Sequence, residues 1–221
     1  MSTITVSKIV SKKYELTNET RVVGNHTLYR IKALRDFDDV KAGDLGGFIE
    51  NESNLSHDGN CWVYNDAIAA VNAVVSENAK VRNEALVFNE ARVLGNAVIS
   101  DKARVLENTA YVHGNAKIYD DAIICGEIYG NAIVCNKAMV STEAKIYDNA
   151  KVLNNACVAG LIYGNAKISG SACIFPSAEI YDNACIQGKT KVYFFVKICG
   201  NAVIKGNKKI YKDICGDDKA A

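Results

Sequence analysis

The sequence predicts an all-β fold, a parallel β-helix of about eight coils with an N-terminal β-hairpin cap, on three observations. A six-residue unit recurs through about two-thirds of the chain, its apolar positions hold one phase, and residues 1–60 lack it.

The unit reads Asn-Ala-x-(Val/Ile)-x-(Gly/Asp/Asn) and begins near residue 61, with clear instances at Asn72-Ala73, Asn78-Ala79, Asn96-Ala97, Asn115-Ala116, Asn149-Ala150 and Asn165-Ala166. Its apolar position advances through Val63, Ala69, Val75, Val81, Val87, Val93, Ile99, Val105, Val112, Ile118 and Ile124 to Ile204 and Ile210, with Ala two residues earlier. Residues two apart in a strand share a face, so each Ala and the following Val or Ile enter a core while their neighbours point outward. The Gly, Asp or Asn that follows is turn chemistry. Three strands and three corners close a triangular coil, and coils stack as parallel strands about 4.8 Å apart. At about eighteen residues per coil, residues 61–214 make a rod of about 40 Å.

One extra residue falls near Glu107-Asn108-Thr109, and the units from Ile124 to Ile128 and from Val158 to Ile162 are short. The two shortenings lie two coils apart on the same corner, as trimmed turns would. Pro176, the only proline, also falls at a corner, where a missing N–H costs least. Residues 1–60 form a capping segment in which Arg21 to Ile31 reads as a hairpin around Gly24-Asn25. A solenoid end exposes strand edges and core side chains, so it needs a cover. The C-terminal tail, 215–221, follows the last coil.

The 221 residues are 49% hydrophobic, enough to bury a core. With 26 Lys plus Arg against 25 Asp plus Glu the net charge is +1. That lacks both the basicity that drives phosphate-backbone binding and the acidity of a DNA mimic, so no nucleic-acid partner is expected. The opening Met1–Lys8 has no apolar run for a secretory signal, and no later segment approaches a membrane span. A cytoplasmic protein with no membrane partner is expected. The eight cysteines are scattered, without a Cys-x-x-Cys pair or a histidine at ligand spacing. The expectation is no metal, and reduced thiols used as small apolar residues.

Residues 61–210 resemble the hexapeptide-repeat superfamily, which implies a left-handed parallel β-helix and, often, a trimer. Within it, Leu34-Arg35-Asp36-Phe37, Lys41-Ala42-Gly43-Asp44-Leu45-Gly46-Gly47-Phe48 and Asn54-Leu55-Ser56 resemble the opening of uncharacterised bacterial and bacteriophage proteins labelled hexapeptide transferases.

Every third unit returns to the same side, which sorts the outward residues onto three faces. The first is apolar and carries Ile68, Leu86, Phe88, Leu106, Ile123, Met139 and Phe175, together with Cys157 and Cys173. Monomers rarely expose such a patch, so this face is the expected homotrimer interface, with cover by residues 1–60 as the plainer account. The second presents Tyr111, His113, Tyr129, Tyr147, Tyr163 and Tyr181 beside Glu127, Lys145, Glu179 and Lys197. It reads as a cross-strand ladder or, more sharply, as a partner-binding surface. The third, with Trp62, Tyr64, Lys80, Arg82, Lys117, Tyr119, Lys151, Lys167 and Lys205, reads as a mildly basic solvated strip. Phe194 and Phe195 stand where a corner usually has Gly and Asn.

Acyltransferases of the superfamily, as the resemblance implies, use a histidine base in an intersubunit cleft, often beside a projecting loop. Here no long insertion interrupts 61–214, and no Gly-rich phosphate loop is present. His26 lies by the hairpin turn and His57 precedes the repeats, positions that suit structural roles. His113 is the candidate catalytic base, beside Tyr111 and Tyr129, with Asp120, Asp121 and Glu127 within about a coil. Two functions follow. One is a non-catalytic trimeric scaffold or protein-binding module of bacteriophage or mobile-element type, with no cofactor. The other is an acyltransferase taking an acyl-CoA-type donor in an intersubunit groove. The missing loop favours the first.

Overall fold

The computed structural model describes residues 11–216 and, for the backbone, 219 and 220. The Met1–Lys8 opening and part of the 215–221 tail lie outside the described residues.

Two-residue strands such as Val98–Ile99, Lys117–Ile118 and Ile133–Val134 each pair in parallel with the same side of the next coil, Ile99 opposite Ile118 and Ile118 opposite Val134. They stack into three sheets of 12, 10 and 9 strands. The chain is thus an all-β parallel solenoid of about nine turns. The apolar column from Val63 to Ile204 is fully buried, as are the alanines two residues before it. Two walls converge where the alanines sit, and there a single methyl group fills the space. Corners turn through residues at positive φ, among them Asn65, Asn83, Asp101, Asp120, Asn136 and Asn154, types that tolerate the left-handed region. The two short units are trimmed corners built on Gly126 and Gly160, where a Cβ would collide with the carbonyl oxygens of Ser141 and Ala178 on the next coil. Pro176 lies in a corner turn.

The asparagine of the Asn-Ala unit does more than turn the chain. At one corner Asn78, Asn96, Asn115, Asn131, Asn149, Asn165, Asn183 and Asn201 stack, and each amide Nδ2 donates to the Oδ1 of the next at 3.0–3.1 Å. This ladder runs along the rod as a chain of side-chain hydrogen bonds.

The N-terminal cap is built from β1 (Tyr14–Val23), β2 (His26–Ala33) and β3 (Leu45–Ile49). β1 and β2 form the expected hairpin, with Val23 opposite His26 across Gly24-Asn25. β3 is antiparallel to β2 but parallel to the Ile68–Ala69 strand, and Leu55 bridges Val75 in parallel. Parallel stacking therefore begins before the Asn-Ala repeats do, which supplies the additional turn. Along the apolar sheet the cap reaches only its first coils: Leu28, Phe48 and Ala70 are buried together, with Ile68 and Phe88 packed against them. The loop between β2 and β3 crosses the basic sheet instead. Phe37 meets Trp62 edge-on at 5.3 Å, and Trp62 is 1% exposed rather than solvated. Asp39 accepts from Tyr64, Lys80 and Arg82. The Tyr64 hydrogen bond, with help from the two cations, holds the Asp39 carboxyl down at about 2.

The expectation of reduced thiols throughout is corrected at one pair. Cys199 and Cys215 are in-register partners on neighbouring coils and form a disulfide, Cα to Cα 4.5 Å. The other six cysteines are free. No helix among the described residues is long and apolar enough to cross a membrane.

Candidate functional site

The nine-stranded sheet carries the tyrosine face. Its strands each project two outward residues, giving two columns along the rod. In one, His113, Tyr129, Tyr147, Tyr163 and Tyr181 stack ring on ring, with centroids 4.8–5.0 Å apart and planes within 3°. That spacing is the rung spacing of the sheet, so the backbone holds every ring in register. Tyr111 lies outside this column. It precedes His113 by two residues on one strand, so it falls in the neighbouring column, in register with Glu127, and tilts against His113 at 4.5 Å.

The neighbouring column alternates charge. Lys145 pairs with Glu127 at 2.8 Å and Lys197 with Glu179 at 3.3 Å, and Leu161 separates the pairs in the register. All five rings of the stack are half-buried. Burial pushes up the Tyr129 and Tyr147 phenols and raises Tyr163 to about 12, with Glu179 adding to the last. A phenol whose folded value is raised contributes stability that is complete below its unfolded value near 10 and is lost as pH rises through 12. We expect the phenolate absorbance of these residues to appear at higher pH than in the urea-unfolded chain, with Tyr163 titrating near 12. Coincident titration curves would show that the stack does not hold in solution.

His113 sits at the head of the column. Its Nε2 is buried, lacks a hydrogen-bond partner among the described residues, and lies 3.6 Å from Glu127 Oε1. The stack occupies one face of the imidazole and Tyr111 leans on it from the side. Of the acids expected nearby, Glu127 is adjacent. Asp120 belongs to a corner beyond the next strand, where its carboxylate accepts from Asn136 at 3.0 and 2.7 Å; Asp121 follows it in that corner. Hollows of about 280 and 220 Å³ lie at corners, lined by Val71, Glu90 and Glu107 and by Glu143, Gly160 and Ser177. His113 does not line them. His26 hydrogen-bonds Glu50 at 2.8 Å and meets Phe88 edge-on. His57 stacks on Tyr14 at 4.3 Å and accepts from the Lys13 backbone.

On the apolar face, Leu86, Leu106 and Ile123 are partly exposed and Met139 is 51% exposed. Phe175 belongs to a second ring column, Phe175–Tyr193–Tyr211, stacked at 4.9 and 4.4 Å. Sequence reasoning missed that column. It also missed buried Lys13, which donates to the carbonyl and Sγ of Cys61 at 2.9 and 3.2 Å. The signal for the first was available, because Phe175, Tyr193 and Tyr211 recur at the coil spacing. Lys13 left no signal, since its partner is 48 residues away.

Six-residue units, parallel coils and laddered outer columns define a hexapeptide-repeat parallel β-solenoid. No family model matches the chain. Over 79 residues it is 40% identical to a protein of Escherichia coli (strain K12) named "Uncharacterized acetyltransferase YdcK", a stretch that covers 32% of this chain and 24% of that protein. The chain thus matches about a quarter of that relative's length.

Proposed function

We propose that the chain is a non-catalytic trimeric scaffold that binds another protein through its tyrosine face. The observation that carries this reading is the stack from His113 to Tyr181. It presents a flat, preorganised row of amphipathic rings, the residue type enriched at recognition surfaces. His113 is packed as the end rung of that row, and its Nε2 is turned to Glu127 instead of into a hollow. A general base needs an open approach to its substrate.

The apolar sheet beyond the cap supports the trimer, because the hairpin covers Ile68 and Phe88 while Leu106, Ile123 and Met139 keep solvent exposure. Replacing Leu106 and Met139 with aspartate avoids the cap contacts and is expected to convert trimer to monomer in light scattering. A wild type already monomeric at micromolar concentration defeats the trimer. The likeness to a protein named an acetyltransferase favours a second reading, in which an acyl-CoA-type donor binds an intersubunit groove and His113 is the base. Thermal unfolding with and without acetyl-CoA separates the two. The scaffold reading expects no shift, and a rise of several degrees that His113→Ala reduces would replace it with the second.

A further inference from the structure

The last coils differ from the rest of the rod. Residues 183–212 hold seven lysines, at 189, 191, 197, 205, 208, 209 and 212, and no Asp or Glu, in a chain whose net charge is +1. The same segment holds three of the large exposed hydrophobic residues: Phe194 at 52%, Phe195 at 77% and Tyr211 at 63%. Both phenylalanines occupy the corner between the apolar and tyrosine sheets. Phe195 has φ 61, a conformation that disfavours a bulky residue and that the preceding full corner gives to Ser177. Nothing in the core uses these rings, because Val196 is the residue of this corner that is buried.

The lysines flank that corner. Lys191 and Lys209 are in-register partners on the sheet at one side, Lys212 is in the next corner, and all three are exposed. Among the described residues no carboxylate pairs with them. Asp213, the nearest acid in sequence, accepts from the Lys197 backbone at 2.8 Å, and the Lys197 side chain pairs with Glu179.

We propose that this corner, Phe194-Phe195 flanked by Lys191, Lys209 and Lys212, is a docking wedge for a lipid bilayer with anionic headgroups. The apex offers two rings with no polar atom, suited to the headgroup–acyl boundary, and the lysines lie beside it on the apolar sheet and in the next corner along the rod, where they would meet the headgroups. A single-stranded nucleic acid fits less well, because Phe194 leans on Phe175 at 5.5 Å and the faces of Phe175 and Tyr193 are stacked within their own column, which leaves no row of open rings for successive bases. A second copy fits less well because a two-fold contact would set these lysines against themselves, and the proposed trimer contact is carried by Leu106, Ile123 and Met139, three or more coils before this corner. The expectation of no membrane partner rested on spanning segments and does not bear on a peripheral wedge.

The test is co-sedimentation of the full chain with phosphatidylcholine vesicles, with and without phosphatidylserine. Binding is expected only to the anionic vesicles and falls as salt rises. Lys191→Ala and Lys209→Ala each lower affinity about fivefold, as about 1 kcal/mol per basic residue implies, and Phe194→Ser with Phe195→Ser lowers it at least tenfold. Phe195→Gly relieves the positive φ, so it is expected to hold or raise the melting temperature while still weakening binding. Phe195→Trp adds an emission that shifts to the blue and is quenched by brominated lipid, over the constant background of buried Trp62. No pelleting with anionic vesicles overturns the proposal. So does undiminished binding by the double serine variant, or displacement from vesicles by a single-stranded oligonucleotide that binds more tightly.

Discussion

Replacing Ile146 or Ile162 with alanine is expected to lower the unfolding free energy by about 2–5 kcal/mol each, measured by urea denaturation. Both side chains are fully buried, and they are in-register partners on neighbouring coils. In a repeat rod each coil contacts only its neighbours, so the loss stays local and loosens the coils on either side before the ends. Hydrogen exchange should accordingly quicken first at the amides near Ala144 to Ile162. Because the two cavities adjoin, the double variant should depart from the sum of the singles. A cost below 1 kcal/mol for either residue would mean that the interior collapses to fill the space, contrary to a rigid triangular core.

The outer column of the same sheet is expected to behave in the opposite way. Changing Tyr147 and Tyr163 to serine removes two consecutive stacked rungs but leaves the core column of the rod intact, and should cost on the order of 1 kcal/mol of stability through lost cross-strand pairs. If the face meets a protein partner, binding should fall by two orders of magnitude or more, as truncation of clustered tyrosines does at an interface. Unchanged affinity of a captured partner for this variant would reduce the stack to a structural ladder. Measured together, the two pairs of substitutions separate what holds the rod from what the rod presents.

Much of this architecture is legible in the residues because a solenoid is nearly one-dimensional. The Ala and Val/Ile positions name the core, and the return of every third unit to one side places Tyr129, Tyr147, Tyr163 and Tyr181 in a single column before any coordinate is known. The trimmed corners at Gly126 and Gly160 are equally plain, as a change of phase. Other features need closer counting. Tyr111 reads as a member of the tyrosine face, but a shift of two residues along a strand keeps the face and changes the column. The Asn rungs read as turn residues, whereas their hydrogen bonds run between coils.

Contacts that join segments of unlike pattern were decided by the tertiary structure. The repeat determined by itself that the chain winds into stacked coils, which side chains are interior, and which columns face out, because a strict period lets each coil dictate the next. It left open which faces of the first coils the aperiodic first 60 residues would cover. Only the folded chain shows that β3 joins the stack, that the loop after β2 sets Phe37 over Trp62 and ties Asp39 to Lys80 and Arg82, and that His113 Nε2 faces Glu127. The physical reason is the loss of period. Periodic neighbours are about eighteen residues apart and share one backbone geometry, whereas the cap contacts lie at separations from about twenty to about forty residues with no common repeat, and depend on side-chain shape and charge meeting across a surface that no local pattern records.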